Sequence, residues 1–301
     1  MIPSRDWDKT PSLLKGRGLY VNGEGADVDP RNVIVPLIRR TRDRQYEVTG
    51  TGFFITTYGL VATARHVLDD FLPAGGFVLQ LDSDDPSKAY NRRVMTVTRN
   101  DAYDVGVAQV DNSMDKLPDR WLRNQVAVLS TDVPPVGSQL VTYVYPESRF
   151  DLNKSGPMMQ SATLSGVVKR VASAWDHPDI RYPHYETSML IPSGASGGPV
   201  FDERGRVVGI SCRGVDFGED PGPEGEHSYV IPVACLLAVR LQGALQINPK
   251  SKSYPRFGGD PNRREGWSIP ELAALGHITF DPLLPTPVPA LWPSSPGPAP
   301  F

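Results

Sequence analysis

The chain has 301 residues and a formal net charge of −3, with a pI of about 6.0. That length holds a full enzyme core, and the balanced charge gives no case for nucleic acid or an anionic membrane as partner. Two cysteines, Cys212 and Cys235, fit no metal spacing and build no disulfide framework, which points to a reducing, cytoplasmic setting.

The polar start, MIPSRDWDKTPSLLKGRG, lacks the apolar core of a signal peptide, so residues 1–31 are read as an N-terminal arm. From Asn32 to about Val239 short β-rich runs follow one another: NVIVPLI, TGFFITTYGLVATA, GFVLQL, RRVMTVT, DVGVAQV, NQVAVLS, SQLVTYVY, SATLSGVVKRV, ETSMLI, GPVFDERGRVVGIS and HSYVIP. They are rich in Val, Thr, Tyr, Phe and Ile, and Gly, Pro, Asn or Asp bounds most of them. TTYGL and DERGRV read as hairpin turns, with Gly205 at a position needing positive φ. Helical periodicity is scarce. VACLLAVRLQGAL, residues 233–245, is the best helix candidate after Pro232, and SIPELAALGH is a second, shorter one. The run YVIPVACLLAVRL is too short to span a bilayer. From Pro282 the chain is dense in proline, which favours an extended tail, either unstructured or serving as a docking or autoinhibitory segment.

Strands at this spacing without intervening helices predict an all-β sandwich or barrel. Within that frame IPSGASGGPV, residues 191–200, sets Ser196 among three glycines. A surface turn is one explanation. The other is a nucleophile whose neighbours present bare backbone N–H groups to an oxyanion. Gly194-Ala195-Ser196-Gly197-Gly198 also satisfies the G-x-S-x-G elbow of α/β-hydrolases, which would make the chain an esterase. That fold needs βαβ units and the order Ser, acid, His, and neither His227 nor His277 follows a convincing strand.

A serine nucleophile needs a base. His66 lies in GLVATARHVLDD, after the hairpin run GTGFFITTYG; Asp104 opens the alternating strand DVGVAQV. The order His66, Asp104, Ser196, each with its own local motif, resembles the chymotrypsin-fold (trypsin-like) serine proteases of bacterial or intracellular type, over about residues 32–245. The resemblance implies two six-stranded Greek-key β-barrels, about 32–122 and 123–245, with a C-terminal helix and a proline-rich extension over 246–301. It implies an endopeptidase working through an acyl-enzyme, with His66, Asp104 and Ser196 as catalytic residues and the N–H groups of Gly194 and Ser196 as oxyanion hole. It also implies a substrate-binding edge at Ser211, Cys212 and Arg213, a pocket floor near Leu190, and no metal or other cofactor.

The implied partner is a protein or peptide substrate, with restraint through a regulatory partner or the C-terminal tail. Ala195 stands where zymogen-activated relatives place an acid, so activation by a freshly cut N-terminus is not expected. Arg65 replaces a small residue and is expected to brace the outside of the histidine loop. His184, just upstream of the serine loop, is either an exposed loop residue or part of the specificity pocket. A catalytically silent, peptide-gripping version of the fold is the alternative function. A scaffold acting through its tail is a further one.

Overall fold

The structure, a computed structural model, describes residues 30–41, 46–69, 71, 75–81, 89–111, 125–146, 149–151, 156–158, 161–176, 180–192, 194–214, 228–241, 244–246, 256–258 and 266–284. The N-terminal arm before residue 30, His177, His227 and the proline-rich stretch 285–301 lie outside them.

The first barrel is built from β1 (Ile34–Arg40), β2 (Tyr46–Phe54), β3 (Leu60–Ala64), β4 (Gly76–Leu81), β5 (Ala89–Asn100) and β6 (Val105–Val110). Their order is β1-β4-β5-β6-β3-β2, and pairing of β1 with β2 closes the ring. Pro36 is tolerated inside β1 because the pairing with β4 starts only at Leu37, so no ladder bond is forfeited on that side. The second barrel comprises β7 (Gln139–Val144), β10 (Ala162–Ala172), β11 (His184–Thr187), β12 (Pro199–Phe201), β13 (Val207–Gly214) and β14 (Ser228–Pro232), closed in the order β10-β11-β14-β13-β12-β7. The fold is therefore two closed six-stranded antiparallel barrels. The two expected hairpin turns are present, with φ of 95° at Gly59 and 77° at Gly205.

Between β7 and β10 the chain makes β8 (Arg149–Asp151) and β9 (Gly156–Met158). Their residue numbers fall in the stretch read as barrel two, yet β8 pairs with β2 of barrel one. The expected helix over 233–245 is replaced by a 3-10 turn, Val233–Ala238, followed by β15 (Arg240–Leu241) and β16 (Ala244–Gln246). Tertiary pairing overrides helix propensity there. Val239 turns extended at φ −80° and ψ 128°, and β15 then pairs with a strand at Trp267–Ser268. The helix expected at SIPELAALGH does form, over Ile269–Ala274. Ser268 and Glu271 make a reciprocal capping box, and a proline occupies the first turn.

One face of that helix, at Ile269 and Leu272, lies in the protein's interior. Ile269, Leu272, Ile278 and Phe280 join the apolar cluster of Leu37, Phe53, Phe54, Leu60 and Val107 in the first barrel and Phe201 and Ile231 in the second. Each such side chain, fully buried, contributes about 1.5–3 kcal/mol relative to exposure. Leu129, between the barrels, forms parallel bridges to both Val207 and Phe280. Arg206 clamps the same corner, binding Asp202 at 2.7 Å, Asp132 at 2.8 Å and the carbonyl of Asp281 at 2.9 Å. A separate cluster of Leu140, Val144, Val168, Tyr185, Met189, Ala195, Val208 and Val230 fills barrel two. Among the described residues no helix is long and apolar enough to cross a membrane.

Candidate active site

His66 is the second residue of a 3-10 turn, Arg65–Leu68, that leaves the end of β3. Asp104 immediately precedes β6. Because β3 and β6 pair with Ala64 opposite Val105, the residues just beyond those positions meet by register. The backbone of Asp104 sits at φ 50°, a left-handed conformation that Asp tolerates better than most residues, and its carbonyl accepts from Arg65 N at 2.8 Å. Both carboxylate oxygens are engaged. Oδ2 lies 2.9 Å from His66 Nδ1, and Oδ1 accepts from the His66 backbone N–H at 3.1 Å. Arg65 Nε stands 3.4 Å from Oδ1. Burial alone would raise the Asp104 pKa. The hydrogen bonds and charge of His66, with the charge of Arg65, outweigh it and hold the carboxyl below its ordinary value. The His66 ring is thus oriented by an ionised partner. Arg65 braces the acid itself as well as the outer loop, where it pairs with Asp69 at 3.4 Å and Asp101 at 3.5 Å.

Ser196 comes from barrel two and is fastened to barrel one through backbone. Its carbonyl accepts from Thr51 N at 2.8 Å. Thr51 is wholly buried and serves both barrels. Its carbonyl accepts from Thr63 Oγ1 at 2.7 Å, and its own hydroxyl accepts from Tyr145 N at 3.0 Å. Such close approach demands bare backbone. A Cβ on Gly50 would lie 2.7 Å from the Ser196 carbonyl. One on Gly197, where φ is 89°, would lie 2.0 Å from Thr63 Oγ1 and 2.3 Å from the Thr51 carbonyl. Gly194 also has positive φ, 83°. Among the described residues no backbone hydrogen bond uses the N–H of Gly194 or of Ser196. Ser196 itself is 7 % exposed.

The remaining candidates separate. Ser211 is fully buried and holds the serine loop from behind. Its Oγ donates to the Ala195 carbonyl at 2.7 Å, its N–H to Gly198 O at 2.8 Å, and its carbonyl accepts from Gly197 N at 2.7 Å. Ala195 packs into the second core and is fully buried. Cys212 lies against the acid, its Sγ 3.5 Å from Asp104 Oδ2 and 3.5 Å from the Tyr182 hydroxyl. Burial, followed by the neighbouring Cys212 and Asp104, raises the Tyr182 pKa, so the phenol stays protonated. Cys212 and Arg213 fall in a bulge of β13, between the pairs Ser211–Val230 and Gly214–Ser228. Beyond Ser211 no described strand pairs with β13 on the β12 side. Leu190, expected as a pocket floor, is 56 % exposed, so side chains do not wall it in.

His184 is not a loop residue. It opens β11, fully buried, with Nδ1 3.0 Å from the Tyr182 carbonyl and its ring edge-on to Tyr229 at 5.1 Å. Thr51, Thr63 and Tyr182 were missed by sequence reasoning. Thr51 and Thr63 stand in the GTGFFIT and ATARH runs that flagged the histidine. Tyr182 carried no local signal.

The trypsin-like peptidase domain family matches residues 50–210, more than half of the chain. No curated protein matches it significantly. Among solved structures, Deg5 is 17 % identical with a TM-score of 0.49, covering 77 % of this chain and 92 % of that one. The inactive form of Rv3671c from M. tuberculosis H37Rv, a serine-to-alanine mutant, is 19 % identical with a TM-score of 0.44, covering 68 % and 82 %. The MamO protease domain from Magnetospirillum magneticum, in its apo form, is 14 % identical with a TM-score of 0.49, covering 69 % and 95 %.

Proposed function

Since the chain belongs to the trypsin-like peptidase domain family, we propose that it is a serine endopeptidase acting on protein or peptide substrates through His66, Asp104 and Ser196. Ser196 Oγ attacks the scissile carbonyl while His66 Nε2 takes its proton, then returns that proton to the leaving amine. Asp104 keeps the other ring proton on Nδ1 and stabilises the imidazolium. The N–H groups of Gly194 and Ser196 bind the oxyanion, and loss of one such donor costs about 10²–10³ in rate. An extended substrate lies along residues 212–214 as an added antiparallel strand.

The observation that carries this reading is the two-point grip of Asp104 on His66, 2.9 Å to the ring and 3.1 Å to the backbone N–H. It fixes both the tautomer and the position of the base. Intact-mass measurement after treatment with a serine-directed fluorophosphonate tests the proposal. One adduct is expected on the natural protein and none on Ser196→Ala. No adduct on either overturns an assembled hydrolytic site and leaves a peptide-binding fold.

A further inference from the structure

We propose that His66, Asp104 and Cys212 form an inhibitory site for a thiophilic divalent cation of the zinc class. The binding rests on donor geometry alone. The inhibition rests on the peptidase reading above.

The three side chains offer ligand atoms that all lie within 4.8 Å of one another. Asp104 Oδ2 is the hinge of the set, 2.9 Å from His66 Nδ1 and 3.5 Å from Cys212 Sγ. Tetrahedral zinc, with bonds of about 2.0–2.3 Å, places its ligand atoms about 3.3–3.7 Å apart. The oxygen–sulfur separation already matches. The nitrogen–oxygen pair needs to open by only about half an ångström, and nitrogen and sulfur need to draw together. Imidazole, carboxylate and thiolate form a mixed N, O, S set that suits zinc, whereas calcium and magnesium take oxygen ligands.

The groups behind these ligands fit as well. Asp104 Oδ1 is occupied by the His66 N–H at 3.1 Å and by Arg65 Nε at 3.4 Å, which turns Oδ2 toward the cation. The Tyr182 hydroxyl, 3.5 Å from Cys212 Sγ, is placed to donate to the thiolate. Entry is from the histidine side, since the His66 side chain is 35 % exposed while Asp104 and Cys212 are buried.

On binding, Cys212 releases its thiol proton to solvent, and where the metal takes Nδ1 the proton that Asp104 held there passes through solvent to Nε2. Thiolate and Asp104 carboxylate then neutralise the two charges of the cation beside the opposing Arg65. An imidazole ligated through Nδ1 carries its one proton on Nε2, and an imidazole ligated through Nε2 has no lone pair left there. In either case His66 can no longer accept the Ser196 proton.

Cobalt(II) titration of the full chain, read by the near-ultraviolet thiolate-to-cobalt absorption, tests the site without any need for activity. The band is expected in the natural protein and in Cys235→Ser, but not in Cys212→Ser. A second variant, His66→Ala, is expected to weaken cobalt binding by about tenfold or more. Far-ultraviolet circular dichroism checks that each variant is folded. Zinc is expected to slow fluorophosphonate labelling of the natural protein, reversed by a chelator, and Cys212→Ser is compared with its own metal-free rate. No thiolate band, or equal zinc inhibition in Cys212→Ser, overturns the proposal. A cobalt band in a protein that never labels keeps the metal site and removes the peptidase.

Discussion

The two barrels contribute to the site by different physics. Barrel one holds its pair with charge and side-chain hydrogen bonds: an ionised Asp104, His66 gripped at two points, and Arg65 alongside. Barrel two positions Ser196 almost entirely with backbone, using positive φ at Gly194 and Gly197 and carbonyl contacts to Thr51 and Ser211. One half is built by adding groups and the other by leaving them out. Substitutions should therefore damage the first half chemically and the second half sterically.

Asp104→Asn puts that contrast to its hardest test. The substitution keeps the shape but removes the charge that fixes the His66 tautomer. Hydrolysis or labelling is expected to fall by about 10⁴-fold, while urea denaturation should show a smaller loss of about 1–2 kcal/mol, because the lowered carboxyl pKa makes the charge stabilising. Gly197→Ala should cost more in stability and less in rate. Its Cβ meets Thr63 Oγ1 at 2.0 Å and the Thr51 carbonyl at 2.3 Å. Urea denaturation should show a loss of about 2–4 kcal/mol, and labelling should slow by about a hundredfold as the loop is displaced.

Ser211→Ala sharpens the comparison within barrel two. It leaves the Ala195 carbonyl with only the 3.5 Å contact from Gly198 N. The expected cost is about 1–2 kcal/mol of stability, with labelling about tenfold slower. Arg65→Gln is the mildest. Its ion pairs are part-exposed, so stability should change by less than about 1 kcal/mol. Labelling should change a few-fold, and the difference should shrink at high salt.

Much of this was legible in the chain because it is local. A strand hairpin ahead of His66, a β-strand opened by Asp104 and a glycine-rich turn at Ser196 each carry a signature a few residues long. The order of the three then selected two six-stranded barrels over a doubly wound sheet. What escaped was non-local. The Thr51–Thr63–Gly197 junction depends on how two barrels meet, and the approach of Tyr182 and Cys212 to Asp104 joins residues far apart in sequence. Leu190 was placed by its distance from the serine, and the fold turns it to solvent. The helix expected over 233–245 failed because pairing with Trp267–Ser268 rewards an extended chain more than local propensity rewards a helix.

Ile269, Leu272, Ile278 and Phe280 lie in the cluster that fills the barrel of His66 and Asp104. On the ribosome those residues emerge only after the whole of the second barrel. The first barrel is thus left without the late segment that shares its apolar cluster while the second is being made. Its contacts are long in sequence, which slows closure. His66 with Asp104, and Ser196, made far apart in time, are followed by one shared late event, the docking of this segment against Leu129 and Arg206.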